Sequence, residues 1–245
     1  MLADVPDLDV LLIPVGGGGL IAGNAVAAKA IRPQIEIVGV EAALYPSMHN
    51  ALRNETRQIG GPTLAEGIAV KNVGRLTLPI VRELVADVML VDEVHLEQAV
   101  NAYLTLQKTM AEGAGAAGLA ALFAEPERFK GKRVGLLLSG GNIDPRIIAS
   151  VMMRELQRDS RILSFRLTIP DRPGVLGQIS TLLGKLDANI LEIDHRRSFL
   201  DVPAKGARLD VTIETRDRAH AAEIAAALAA AGYEPKRIET ASTSE

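Results

Sequence analysis

The 245 residues contain no cysteine and no tryptophan, and aromatic residues make up only 3% of the chain. Without cysteine there is no disulfide frame, thiolate nucleophile, iron–sulfur cluster or cysteine zinc site. The four histidines, His49, His95, His195 and His220, fall at no metal-ligand spacing, so no metal site is expected. So few aromatics weaken the case for a platform that stacks nucleic-acid bases. An excess of one charge is lacking too. Lys plus Arg number 27 against 30 Asp plus Glu, a formal net charge of −3, which gives no broad attraction to nucleic acid or anionic lipid. Apolar runs break well short of the roughly 18 residues that a membrane span needs. The opening MLADVPDLDVLLIPV carries acids and no basic flank, unlike a signal peptide. The expectation is a cytoplasmic protein with no nucleic-acid and no membrane partner.

What is present is a 48% apolar fraction built mainly from Ala, Val, Ile and Leu, suited to helices packed on buried strands. VLLIPV (10–15) ends in four glycines, and LIAGNAVAAKAI then reads as a helix. IEIVGVE (35–41) and VADVMLV (85–91) read as buried strands, HLEQAVNAYLTLQKTM and AAGLAALFA as helices, and RVGLLLS (133–139) as a strand ending in Gly-Gly-Asn. Strands apolar on both faces, alternating with helices, predict an α/β fold with an open parallel sheet covered on both sides.

A charged stretch, MRELQRDSR (153–161), interrupts this pattern, and the order then changes. ILSFRLTIP (162–170) is a strand, RPGVLGQISTLLGKL a helix with Pro173 near its first turn, and ANILEIDHRRS and ARLDVTIETR are two more strands. AHAAEIAAALAAAG is a helix closed by Gly232, and YEPKRIE a last short strand. The order β-α-β-β-α-β is that of the ferredoxin-like unit. Two domains are expected, 1–157 and 161–241.

Gly16 to Gly19 join a strand to a helix. Four residues without side chains let a backbone approach an anion closely, and the helix that follows adds its positive end. A phosphate is one guest; a tight turn with no ligand is the alternative, although four glycines are costly to order. Gly17-x-Gly19-x-x-Ala22, with Glu41 ending the next strand, also fits a loose dinucleotide fingerprint. Ser139-Gly140-Gly141-Asn142 follows a second strand, so the Ser139 hydroxyl sits at the carboxyl edge of the sheet. There it can meet a heteroaromatic nitrogen or be part of a simple turn.

PVGGGGL (14–20), GVEAALYPSM (39–48), LAEGIAV (64–70), EGAGAAGLAAL (112–122) and LLLSGGN (136–142), in this order, resemble the pyridoxal-phosphate enzymes of the tryptophan-synthase-β fold type. The match is closest to the threonine ammonia-lyase (threonine dehydratase) family. FRLTIPDRPGVLGQIS…ANILEIDHRRS resembles an ACT domain, a small amino-acid-sensing module. The resemblance implies pyridoxal 5'-phosphate as cofactor, with Gly16, Gly17, Gly18 and Gly19 around its phosphate and Ser139 on its ring nitrogen. Glu112 would lie near the cofactor, or serve only as a helix N-terminal acid. The implied reaction is loss of water from threonine or serine, giving 2-oxobutanoate or pyruvate and ammonia. The resemblance also implies an amino-acid effector, isoleucine or valine, bound between paired ACT domains. Asp171, Gly174, Val175, Leu176, Asn189 and Ile190 would bind it, unless DRPG is only a helix cap. A homo-oligomer is expected. Related serine racemases bind a cation at the position of Glu41 with a further acid where this chain has Ser47, so Glu41 is read as a surface acid.

The family's Schiff-base lysine lies well before the glycine loop. Here none of the fifteen residues before Gly16 is Lys, and the first, Lys29, reads as a mid-helix surface charge. No catalytic residue is therefore assigned. The chain is expected to be the C-terminal part of such an enzyme, inactive alone. Two other readings remain: a non-catalytic amino-acid-binding protein, and an NAD-dependent dehydrogenase with an ACT domain. The dehydrogenase would need a His–acid pair, for which neither His49 nor His95 has a persuasive setting. His195 reads as an exposed strand residue.

Overall fold

In the computed structural model, which describes residues 1–197 and 205–238, the first apolar run folds as β1 (Val10–Pro14), buried along its whole length. There follow α1 (Gly19–Ile31), β2 (Glu36–Ala42), α2 (Ser47–Arg53), a single 3-10 turn (Glu66–Ile68), α3 (Thr77–Leu84) and β3 (Asp87–Val91). Then come α4 (Glu93–Thr105), α5 (Gly113–Ala124), α6 (Pro126–Phe129), β4 (Val134–Leu136) and α7 (Pro145–Arg158). The sheet order is β3-β2-β1-β4 and every pairing is parallel. Strands buried on both faces explain the unbroken apolar runs. Leu11 and Ile13 join Ile21, Ala25 and Val81 of α1 and α3 on one face. Val10 and Leu12 join Leu96, Val100 and the alanines of α5 on the other.

The chain passes from β1 to β2 and β3 on one side, then returns to pair β4 with β1 on the other. The loops after β1 and β4 therefore diverge from neighbouring strands at a topological switch point, where α/β sheets leave a crevice at the carboxyl ends of their strands. α5 closes in on this edge because Gly113, Gly115, Gly118 and five buried alanines leave its inner face almost without side-chain bulk.

The chain divides into two units, Met1–Val151 and Met152–Glu245. In the second, β5 (Ile162–Pro170), α8 (Val175–Lys185), β6 (Asn189–Arg196), β7 (Gly206–Glu214), α9 (Arg218–Ala230) and β8 (Lys236–Ile238) follow in the expected order. They form an antiparallel sheet, β6-β7-β5-β8. β5 and β7 alternate strictly. Leu163, Phe165, Leu167 and Ile169 meet Ala207, Leu209, Val211 and Ile213 in a core closed by Ile179, Leu183, Ile224 and Leu228. On the opposite face Arg166 makes two bonds, 2.8 and 2.7 Å, to the Asp210 carboxylate. α9 ends in a Schellman pair: Tyr233 N–H donates to Leu228 O and Gly232 N–H to Ala229 O, with Gly232 at φ +86°.

Several expectations need correction. The charged stretch 153–161 is no break, because α7 runs through it to Arg158; Ile147 and Val151, spaced by four, pack on the first unit's core. α2, α3 and α6 were not expected, being short segments whose Pro and Gly neighbours mask any period. The 133–139 strand shrinks to three residues, half-buried at both ends. α8 begins after Pro173, at Val175, with Gly174 as a left-handed N-cap at φ +88°. Residues 198–204 and 239–241, expected in strands or in the second domain, lie outside the described residues.

Candidate functional site

A cavity of about 230 Å³ opens at the switch point, lined by Gly16, Gly17, Gly18, Gly19, Glu112 and Ser139, with Gly67 and Ile68 of the 3-10 turn among its other walls. The β1–β4 pairing brings the glycine loop beside Ser139. Glu112 arrives from α5, its N–H donating to Gly140 O at 3.3 Å. All six residues predicted around the cofactor thus share one cavity. Glu112 occupies the N-cap of α5 but makes no side-chain capping bond. Its carboxylate lies where a Cβ at Gly140 would meet Oε1 at 2.4 Å and one at Gly67 would meet it at 3.2 Å. Two glycines therefore make room for it.

The glycine loop fits an anion. A Cβ at Gly17 or Gly19 would meet nothing within 4 Å, so missing side chains leave open space beside the backbone rather than packed contacts. The first helical bond of α1 runs from Ala22 N–H to Gly18 O, leaving the N–H groups of its first turn without helical acceptors, and no acid stands in that turn to compete.

Glu41 overturns its reading as a surface acid. It is 1% exposed, and its two carboxylate oxygens accept from the Met48 and His49 N–H groups at 2.7 and 2.9 Å, fastening the start of α2. Both oxygens are thus engaged by the α2 backbone, the role the structure shows for it. Nothing in the sequence around Glu41 announces the α2 donors. Burial pushes its carboxyl from the usual 4.5 up to about 7, against the downward pull of the His49, Met48 and Ser47 N–H groups. Between those values the folded protein keeps a proton that the unfolded chain has released, so stability falls as pH rises through this window and levels off above it. The full effect is on the order of 3 kcal/mol. Urea midpoints measured from pH 5 to 8 should fall in the wild type and lose that component in Glu41→Gln. Parallel curves would remove Glu41 as the cause.

Other side chains lie elsewhere. Lys29 sits in the last turn of α1 rather than mid-helix, and its Nζ donates to Pro33 O at 3.0 Å. His95 Nδ1 is 2.7 Å from Asp92 Oδ1, a pair that caps α4, and His49 is buried with Nδ1 on Val88 O. Neither histidine lines the cavity. His195 is half-buried, not exposed, because its edge strand still packs on one side.

The predicted effector residues do not converge within the second unit. Val175 is buried in the core, with Leu176 and Ile190 packed against it. Asp171 pairs with Arg197 Nε at 3.1 Å, and Asn189 Nδ2 donates to Glu214 Oε2 at 3.3 Å. Of the six, only Gly174 lines the open groove along α8, together with Gly177, Gln178, Thr181, Leu182 and Lys185. The sequence reading missed these α8 residues, whose spacing of three and four was the available signal. It also gave no role to Gly67 and Ile68, although LAEGIAV was among the resembling segments.

Among the described residues no helix is long and apolar enough to cross a membrane, and no group of three or more His, Cys, Asp or Glu could hold a metal ion. Residues 1–140 match the family described as pyridoxal-phosphate dependent enzyme, and residues 164–233 match the ACT domain. The chain is 39% identical over 240 residues to an L-threonine ammonia-lyase of Thermotoga maritima, covering 97% of this chain and 60% of that protein. It is 39% identical over 236 residues to the L-threonine ammonia-lyase of Geobacter sulfurreducens, covering 95% of this chain and 58% of that one. The chain therefore spans about 60% of the length of these curated relatives. Among solved structures, the processed form of threonine deaminase isoform 2 from Solanum lycopersicum superposes with a TM-score of 0.58 at 31% identity, over 62% of this chain and 46% of that one. With the family match covering β1 to β4 and every cavity-lining residue through Ser139, the chain belongs to the pyridoxal-phosphate dependent enzymes and carries an ACT domain after that region.

Proposed function

We propose that the chain carries the cofactor-phosphate cup and the regulatory domain of a threonine ammonia-lyase, which removes water from threonine or serine and releases 2-oxobutanoate or pyruvate with ammonia. One observation carries this reading: Gly16–Gly19, Glu112 and Ser139 line one cavity at the switch point of the sheet. The names of the two curated relatives support the reaction class.

Pyridoxal phosphate, when bound, supplies an electron sink for the pair left by the departing α-proton. Gly17 and Gly19 offer backbone N–H groups to its phosphate, unobstructed by side chains. Ser139 Oγ holds the ring nitrogen with a neutral hydroxyl, which does not fix a proton there as a carboxylate would. That milder setting suits elimination of a β-hydroxyl. Glu112 places a carboxylate at the cavity wall where it can hold or pass a proton. None of the cavity-lining residues is a lysine, the amine that by resemblance to the family would link the cofactor and move the α-proton. These 245 residues alone are therefore expected to give no 2-oxobutanoate.

The proposed domains are 1–157 for the cofactor region and 161–241 for the ACT domain, in a cytoplasmic homo-oligomer. There the Asp171–Gly174 loop and the first turn of α8 present backbone N–H groups to the carboxylate of isoleucine or valine, and a paired domain completes the site. That pairing accounts for the spread of Asp171, Asn189 and Ile190 within a single copy.

Equilibrium ultrafiltration tests the cup. The chain should take up pyridoxal phosphate saturably, and Gly17→Asp, which puts a carboxylate into an anion site, should weaken uptake at least about tenfold. Equal uptake by both would overturn the assignment. Calorimetric titration with isoleucine and valine tests the second unit, with absence of heat at millimolar amino acid counting against it.

A further inference from the structure

We propose that Thr77 is a positioning residue that holds the glycine loop in its anion-receiving form before any ligand arrives. The proposal rests on the reading of Gly16–Gly19 as a phosphate cup. Thr77 opens α3 and is not among the cavity-lining residues. Its hydroxyl nevertheless donates to Gly17 O at 2.7 Å, across sixty residues of sequence. Gly74 N–H donates to the same oxygen at 3.0 Å. The Thr77 oxygen also lies 3.1 Å from Gly74 O. A hydroxyl has one proton to give, and the shorter contact takes it.

Two donors on one carbonyl fix the Gly17–Gly18 peptide plane. The peptide is trans, so its N–H leaves from the edge opposite the captured C=O. With the Gly17 oxygen turned toward Gly74 and Thr77, neither of which lines the cavity, the Gly18 N–H is turned away from them, and in this proposal it faces the cavity. The loop could present carbonyl oxygens there instead, which would repel a phosphate. The clamp selects the orientation that attracts one.

The surrounding glycines fit this arrangement. Gly18 adopts φ +90°, and a Cβ on it would lie 2.6 Å from Thr77 Oγ1 and 2.7 Å from Met48 Cε. A Cβ on Gly74 would lie 2.9 Å from Gly17 O. Both positions must therefore lack a side chain for the Thr77 hydroxyl and the Gly74 N–H to reach the same oxygen. The clamp is itself anchored: Ser47 Oγ donates to Val70 O at 2.5 Å, tying the start of the 70–77 segment to α2. Four consecutive glycines have more freedom to lose than any other tetrapeptide. An ordering contact made in the free protein removes that cost from binding.

The test compares the 245-residue wild type with Thr77→Val, which keeps the branched shape, Thr77→Ser, which keeps the hydroxyl, and Gly74→Ala, whose Cβ would crowd both the Thr77 hydroxyl and the Gly17 oxygen. In ligand-free protein, hydrogen exchange over residues 14–22 should be about three- to tenfold faster in Thr77→Val, the range set by loss of one ordinary hydrogen bond, and close to wild type in Thr77→Ser. Inorganic phosphate, titrated by phosphorus NMR, should bind Thr77→Val weaker by a similar factor, with Gly74→Ala following Thr77→Val. Thermal unfolding of Thr77→Val should stay close to wild type, since only a local contact is lost. Unchanged exchange in Thr77→Val, or equal losses in Thr77→Ser and Thr77→Val, overturns the clamp. Phosphate binding that is equal in wild type and Thr77→Val overturns it as well. A wild type that binds neither phosphate nor pyridoxal phosphate overturns the cup instead, and the clamp is then decided by the ligand-free exchange alone.

Discussion

Gly115→Ala should lower the stability of the first unit by about 3 kcal/mol or more, the upper end of what overpacking costs when the obstacle cannot repack. A Cβ at this position would lie 2.1 Å from Ser139 O, 2.7 Å from Gly140 O and 2.9 Å from Ser139 C. All three atoms are backbone, so no side chain can swing aside, and either α5 retreats or the Ser139–Asn142 loop moves. Both responses break the site, because Glu112 N–H donates to Gly140 O across this contact and Glu112 and Ser139 share the cavity. The melting temperature should fall by roughly 10 °C, and uptake of pyridoxal phosphate should be lost with it. Gly118→Ala in the same helix is the control. Its Cβ would meet Leu12 no closer than 3.6 Å, and alanine gains helix propensity of up to about 1 kcal/mol over glycine. If Gly115→Ala proved as stable as Gly118→Ala, the close approach of α5 to the loop would be wrong.

That contact also shows what a sequence displays and what it withholds. The alternation of Leu163, Phe165, Leu167 and Ile169 is a direct print of a sheet with one buried face, so the second unit was legible strand by strand. The apolar runs around Leu12, Val38 and Met89 likewise imply a sheet covered on both sides. Burial on one or both faces is a property of each strand by itself. The tetraglycine loop and SGGN were legible as loops at strand ends, and the resemblance supplied their roles. Their meeting in one cavity depends on β4 pairing with β1, which no local pattern states. Glu41 was misread for the same reason. Its burial is made acceptable by N–H groups of α2, a seven-residue helix between Pro46 and Asn54 too short to leave a period. Thr77 carries no signal at all: a threonine at a helix start reads as an ordinary cap, and its bond to Gly17 exists only through the fold. The six effector residues came from the resemblance alone, and a single copy does not gather them in one pocket.

Leu167→Ala should unfold the second unit while leaving the cofactor cup intact. Leu167 lies on β5, one of the two central strands, directly opposite Leu209 on β7, and both side chains are fully buried. Removing three carbons from such a site forfeits transfer energy and leaves a cavity, about 2–5 kcal/mol in all. Small domains are stable by only about 5–15 kcal/mol, so the loss is a large fraction of what holds this unit together. Its melting transition should drop by roughly 10–20 °C. The buried core to which Leu167 belongs is drawn from residues 163 to 228, and the buried clusters of the first unit, which carries the glycine-loop cavity, from residues 8 to 151. Hydrogen exchange should therefore rise across β5, β7 and α8 and stay slow across β1 and β2. Pyridoxal phosphate uptake should be retained, and the isoleucine or valine binding proposed for the second unit should disappear. Thr168→Ala, one residue along on the exposed side of the strand, should shift stability by no more than about 0.5 kcal/mol. Leu167→Ile, which conserves volume, should cost less than about 1.5 kcal/mol. If Leu167→Ala instead released both units together, or lost cofactor uptake in step with amino-acid binding, the two cores would not be separate cooperative units. Regulation would then act through shared stability rather than through a ligand bound at a domain that folds on its own core.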